Sequence, residues 1–232
     1  MSVSLGTNAI TFSDASTQAT ASVAPATGQC VTIYQGPSPV STTWTKPATC
    51  KGIKVTLIAS GGNSQPSPYV GNQSRYSSGG GGAGAAFGWF PGPNIPGPVT
   101  VTIGTPGNPA SFGSLISATA GGIGSVGNNT PGDHAGGIGG TGTGGQFQWT
   151  GTAGGIANST DRGGGYTNIM YGNDSQALFG GGPVGTPNVV SPGVTNPYYG
   201  GGASGSINTN NGGGTATGAT GGPGLIIIEE FY

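Results

Sequence analysis

The chain has 232 residues, room for one large β domain or two small ones, and it sets 53 glycines and 18 prolines against only five basic and six acidic residues. A formal charge of −1 offers no field for nucleic acid, whose recognition needs Lys and Arg to displace counterions along the phosphates, so that function class is set aside. The longest aliphatic run, Leu225 to Ile228, is far short of the roughly 20 residues a spanning helix requires, and no membrane insertion is expected.

So much glycine and proline would ordinarily indicate low complexity or disorder. Disordered chains, however, stay open through net charge and scarce apolar residues. Here no charged residue occurs between Arg75 and Asp133, and nothing in that stretch repels collapse. Glycine is also unevenly placed, with only Gly6, Gly28, Gly36 and Gly52 in the first sixty positions. The opening MSVSLGTNAI lacks the basic and apolar regions of a secretory signal, so synthesis in a cytoplasm and release by lysis are expected.

In chain order, the first 27 residues read as an attachment segment, with Asp14 to Ala21 the single stretch that could form a short turn or helical piece. Apolar alternation then marks strands, because successive side chains on a strand point to opposite faces. Cys30 to Tyr34, Ile53 to Ile58, Val99 to Ile103 and Leu225 to Tyr232 carry the Val, Ile, Thr and Tyr that suit a pleated surface. In VTVTI, Val99, Val101 and Ile103 form one face and the threonines the other, the pattern of a strand with one wet side. Leu225 to Ile228 is apolar on both faces, which predicts a central strand, with Glu229 and Glu230 as its solvated end. No segment holds three turns of helical spacing free of Gly or Pro, so helix is minimal.

Residues 104–224 cannot be plain loop inside a compact domain. Glycine runs recur there at irregular intervals, without the strict Gly-X-Y repeat of collagen. A run without side chains can take the polyproline II form, and neighbouring runs can then approach closely enough to exchange backbone hydrogen bonds. The predicted fold is all-β: a small sandwich-like antiparallel scaffold, glycine-rich polyproline-II-type segments, long loops and minimal helix. Residues 28–232 form one glycine-rich β domain, divided into scaffold (28–120), array (121–222) and closing strand (223–232).

Three segments carry a likeness to a known family. Thr43 to Gly62 (TWTKPATCKGIKVTLIASGG) has a Trp, a Pro three residues on, and a strand running into a glycine tract; Pro98 to Gly107 (PVTVTIGTPG) and Gly221 to Tyr232 (GGPGLIIIEEFY) follow in order. Together with Gly6 to Ala21 (GTNAITFSDASTQATA), they resemble the glycine-rich domain of bacteriophage tail-fibre and receptor-binding adhesin proteins. Ala15 departs from the pattern, which has glycine after the aspartate. The resemblance implies a virion structural protein, often a homotrimer, that contacts other tail or baseplate proteins and a host-surface receptor, either polysaccharide or outer-membrane protein.

Chemistry-bearing motifs are sparse. No phosphate-cradling Gly-Lys-Ser/Thr and no Gly-x-Ser-x-Gly elbow occurs, and no G-x-G-x-x-G follows a strand in a βαβ unit. One histidine and two cysteines make no zinc site. Asp133 beside His134 reads as an exposed loop pair, and Glu229 and Glu230 point to opposite faces and cannot work as a catalytic pair. No cofactor and no catalytic residue are expected. Cys30 and Cys50 either pair as a disulfide or remain separate thiols.

Recognition would then fall to the larger residues between glycine runs: Phe147 and Trp149, Tyr166 and Tyr171, and Tyr198 and Tyr199. Tyr and Trp give wide contact at low rotamer-entropy cost and stack on sugar rings. The same residues could instead pack over the ends of the array. A host-attachment subunit and a purely architectural virion part, whether fibre linker, baseplate component or capsid decoration, both fit; a depolymerase lacks paired carboxylates.

Overall fold

Alternating β-branched and aromatic residues bury one face of a pleated strand and leave the other in water. A computed structural model describes residues 3–5, 10–12, 17–18, 29–36, 38–68, 75–127, 132–160, 168–170, 190–208 and 214–232. Ten strands in it form two facing sheets. They are β1 (Cys30–Gln35), β2 (Val40–Trp44), β3 (Gly52–Ile58), β4 (Ala85–Pro91), β5 (Val99–Ile103), β6 (Ala110–Phe112), β7 (Ile116–Ala118), β8 (Gly142–Gly144), β9 (Phe147–Trp149) and β10 (Leu225–Phe231). One sheet has the order β9-β4-β3-β10-β1 and the other β8-β7-β6-β5-β2, antiparallel throughout.

Between them lies one core. Ile53, Val55 and Leu57 of β3 and Ile226 and Ile228 of β10 face Val99, Val101, Ile103, Phe112, Ile116 and Trp44 of the second sheet. Burying each large aliphatic or aromatic side chain contributes about 1.5–3 kcal/mol. As the alternation predicts, Thr100 and Thr102 lie on the opposite face of β5 from its buried valines and isoleucine, and β10 is central, paired on both sides. Among the described residues, helix is confined to one 3-10 turn at Gly92–Asn94.

The strands do not turn back at one end of the sandwich; they continue as glycine runs. β3 leads into a first run (59–67), a second (78–84) enters β4, a third (119–125) leaves β7, a fourth (135–141) enters β8, a fifth (150–156) leaves β9, a sixth covers 200–206 and a seventh (216–224) enters β10. The second run lies at the centre. Its amides Ser78, Gly81 and Gly84 donate to Ser125, Gly122 and Thr119 of the third run, Gly79 and Gly82 to Gly155 and Thr152 of the fifth, and Gly80 and Ala83 to Ala203 and Gly200 of the sixth. Its carbonyls at Gly81 and Gly84 accept from Gly62 and Ala59, and those at Gly79 and Gly82 from Gly137 and Gly140. Each neighbour therefore recurs every third residue, the repeat of a polyproline II helix. An isolated polyproline II strand satisfies its amides with water; here they are satisfied by other runs, 2.8–3.1 Å away.

Such spacing leaves no room for a side chain. A Cβ on Gly81 would fall within 3.0 Å of the carbonyl oxygens of Ile138 and Gly137, and one on Gly62 would meet those of Gly122 and Gly121. At the rim, every third residue faces inward: Ala118, Gly121, Gly124 and Gly127 are buried, as are Gly151, Gly154 and Ala157, and Ala216, Ala219 and Gly222, whereas Ile123, Ile138 and Ile156 stand in solvent. Serines take other interior places because their hydroxyls find local partners. Ser67 and Ser77 each bond the Ser206 hydroxyl, at 2.9 and 3.2 Å.

Beyond the runs, Arg75–Ser77, Val126–Gly127, Val190–Ser191 and Ile207–Asn208 form a four-stranded sheet around Tyr76 and Ile207, so regular strands brace the array at both ends. Gly132–His134, Ala157–Thr160 and Asn168–Met170 form a separate three-stranded sheet. Strands and runs thus alternate along the chain on both sides of residue 120. Within the expected attachment segment, Val3–Leu5, Ile10–Phe12 and Thr17–Gln18 make an antiparallel meander. Thr17–Gln18 is accordingly extended rather than helical, and its neighbours in 14–21 lie outside the described residues.

Candidate docking face

Pairing register decides what each sheet shows to solvent. On the second sheet, Ser41, Thr102, Ser111, Ser117 and Thr143 stand opposite one another in a straight row across all five strands. That outer face is a ladder of hydroxyls, which water solvates well. The first sheet is different.

Its corresponding row is Phe147, Phe87, Thr56, Ile227 and Ile33, again crossing every strand. The next row is Trp89, Lys54, Glu229 and Val31, with Phe231 beyond. Trp149 lies on the same face of β9 as Phe147. Ile33 is 57 %, Phe147 52 %, Trp89 45 % and Trp149 37 % exposed. An aromatic cluster on β9 and β4 and an aliphatic one on β10 and β1, separated on β3 by Thr56 and Lys54, stand on one outer face with hydroxyls on the other, and mark the first as an interaction surface.

Local contacts hold the rings in place. Phe87 and Phe147 pack with centroids 5.6 Å apart, and Trp89 meets Phe231 edge-on at 4.7 Å. The Gln146 side chain extends the β9–β4 ladder: its Oε1 accepts from the Trp89 amide at 2.6 Å and its Nε2 donates to the Trp89 carbonyl at 3.1 Å. The two charges neutralise each other, Lys54 Nζ lying 2.7 Å from Glu229 Oε2, and Gln29 Nε2 donates to Glu229 Oε1 at 2.6 Å. What remains is a surface without net charge, suited to apolar groups and to the C–H faces of sugar rings.

Of the residues singled out from the sequence, Phe147 and Trp149 belong to this face at its β9 edge. Tyr198 and Tyr199 sit at the β1 edge, about 19 Å away across four inter-strand spacings. Tyr198 is 58 % exposed in a turn fixed by its amide donating to Asn196 Oδ1 at 2.8 Å. Tyr199 is half-buried against the core and its hydroxyl reaches Gln35 at 2.6 Å, so part of its role is to anchor that turn. Tyr166 and Tyr171 lie outside the described residues. Trp89, Phe87, Val31 and Ile33 were not among the sequence candidates; strand parity could have placed Phe87 with Trp89, but only the register joins them to β9 and β1.

Glu230 departs from the sequence expectation of a solvated strand end. Its parity is that of Ile226 and Ile228, so it points between the sheets and is buried. Oε1 accepts from Trp44 Nε1 at 2.7 Å and Oε2 from the Tyr232 hydroxyl at 2.5 Å. The carboxylate is satisfied and ties β2 of one sheet to β10 of the other. The hydrogen bond to Glu230, reinforced by burial and nearby negative charge, pushes the Tyr232 phenol up to about 12. Burial and then the charge of Glu230 raise Tyr34.

Cys30 is exposed and Cys50 buried, and both are free thiols; Cys50 Sγ lies 3.3 Å from the Gly52 carbonyl. His134 is in a strand rather than a loop, its imidazole edge-on to Tyr76 at 5.1 Å. Among the described residues, no group of three His, Cys, Asp or Glu gathers to hold a metal. Comparison with protein-family models and with curated proteins gives no match to this chain.

Proposed function

We propose that this chain is a structural subunit of a bacteriophage virion, a tail-fibre or adhesin component that attaches to the host surface without catalysis. The single observation behind this reading is the pairing of a hydrogen-bonded, glycine-rich array with one exposed aromatic face. The array offers almost no functional groups, so contact falls to Phe147, Trp149, Phe87 and Trp89, held on a strand scaffold rather than on loops. Neutral rings of this kind suit a polysaccharide or an apolar patch on an outer-membrane protein, with Tyr198 as a second contact at the far edge. Contacts with other tail or baseplate proteins belong to the same reading; the homotrimer that the resemblance implies is an expectation that the copy number in solution tests.

The test is adsorption. Purified protein should bind host cells and block infection, and Phe147→Ala with Trp149→Ala should remove both effects while the fold and virion assembly persist. Tyr198→Ala is the cleaner probe of the other edge because Tyr199 also anchors the turn. The same apolar face also supports an architectural reading, in which it packs against another virion protein. Protein that neither binds cells nor blocks infection, and whose aromatic variants fail in assembly instead, would establish that alternative.

A further inference from the structure

The two sheets end on one flank in β1 and β2, consecutive strands that lie in different sheets, and among the described residues neither has a partner strand on its outer side. An unpaired edge presents a row of N–H and C=O groups to any strand that reaches it, and edges are ordinarily blunted by a charge, a proline or a bulge. Cys30–Gln35 has none of these: it pairs with β10 in unbroken register and contains no Lys, Arg, Asp, Glu or Pro. Its outward side chains Val31 and Ile33 are 50 % and 57 % exposed.

We infer that β1 is completed by β1 of a second copy of this chain, the strands pairing antiparallel about a two-fold axis perpendicular to the sheet. In a continuous sheet, opposed residues share a face, so only alternate registers are open. The register centred on Thr32 sets Val31 against Ile33 of the second copy, twice by symmetry, and covers all four exposed aliphatic side chains. The register centred on Ile33 sets Val31 against Gln35 and covers less.

Like charges would normally oppose two identical surfaces, but residues 29–45 carry no charge, and Lys54 and Glu229 are already paired. An uncharged edge that matches itself favours a copy over a charged foreign strand. The flank is about 20 Å long and, with sheets about 10 Å apart, covers on the order of 200 Å² per copy. Stable dimers bury about 800 Å² per partner, so the association is weak and concentration-dependent. Pairing joins two five-stranded sheets with both aromatic faces on one side. If those faces bind a ligand as proposed above, the dimer is bivalent; the pairing itself does not depend on that reading.

Sedimentation equilibrium from about 1 µM to several hundred µM, spanning the range expected for a contact this small, tests the inference. Wild-type mass should climb toward twice that of the monomer, and Ile33→Lys, at an exposed position, should hold it at the monomer with an unchanged circular dichroism spectrum. In a Cys30→Ser background, Val31→Cys combined with Ile33→Cys should crosslink copies on mild oxidation, whereas either cysteine alone should not. A monomer at every concentration, a three-copy assembly, or association unaffected by Ile33→Lys would each overturn the two-fold pairing.

Discussion

Replacing Gly81 by alanine places one methyl group at the centre of the array. The new Cβ would fall within 3.0 Å of the Ile138 and Gly137 carbonyl oxygens, so the fourth run must move outward. Overpacking a close-packed site costs about 1–3 kcal/mol. The displacement also strains the two hydrogen bonds that the fourth run donates to the second, Gly137 N–H to the Gly79 carbonyl at 2.9 Å and Gly140 N–H to the Gly82 carbonyl at 2.8 Å, each worth about 1 kcal/mol net. Alanine lowers the entropy of the unfolded chain and returns about 0.4–1 kcal/mol. The balance is a loss of about 2–4 kcal/mol, a large share of the roughly 5–15 kcal/mol that holds a domain together. Gly97 is the control, since a Cβ there meets nothing within 4 Å. Gly97→Ala should be neutral or slightly stabilising. Urea unfolding of both variants gives the comparison, and a Gly81→Ala protein within about 1 kcal/mol of Gly97→Ala would refute close backbone stacking as the reason for glycine.

Other perturbations probe the strand scaffold. Trp44→Phe keeps a ring against Phe112 but withdraws a donor from the buried Glu230 carboxylate, and should cost about 1–3 kcal/mol in the same unfolding assay; a change under about 0.5 kcal/mol would show that the clamp between the sheets contributes little. Because the Tyr232 phenol ionises near 12 in the folded chain and near 10 unfolded, its contribution to stability is complete below pH 10 and is lost as pH rises toward 12. Ultraviolet titration should show a phenol ionising near 12 that Tyr232→Phe abolishes while sparing the other steps, the raised Tyr34 among them. With Cys30 exposed and Cys50 buried, dilute native protein should take one maleimide per chain and denatured, unreduced protein two; a single label under denaturing conditions would count against free thiols at both positions.

Much of the scaffold is legible because its strands are long enough to show their period. VTVTI alternates through two full repeats, and LIII is apolar on both faces as a central strand must be. That second feature also hides Glu230: with both faces apolar, nothing in the sequence says which parity faces the other sheet. β6, β7, β8 and β9 have three residues each, too few for alternation to stand out between glycines. The array carries a signal of its own. Small residues recur at every third position in Ala118, Gly121, Gly124 and Gly127 and again in Gly151, Gly154 and Ala157, marking the inward face of each run. The intervening positions are often glycine too, and each phase breaks at the next strand, so the repeat never accumulates as it does in collagen. The aromatic face was half visible: Phe147 and Trp149 stand out as a cluster, but their union with Phe87, Trp89, Val31 and Ile33 follows from cross-strand register between segments far apart in the chain, as Phe147 opposite Phe87 and Ile227 opposite Ile33.

Native-state hydrogen exchange followed residue by residue addresses the array most directly. The amides of Gly62, Gly79 to Gly82, Gly122, Gly137, Gly154, Ala203 and Gly222, each bonded to another run, should exchange as slowly as those of β3 and β10. Exchange at the rate of free coil in those glycines, beside protected β3 and β10, would contradict a stacked polyproline II array.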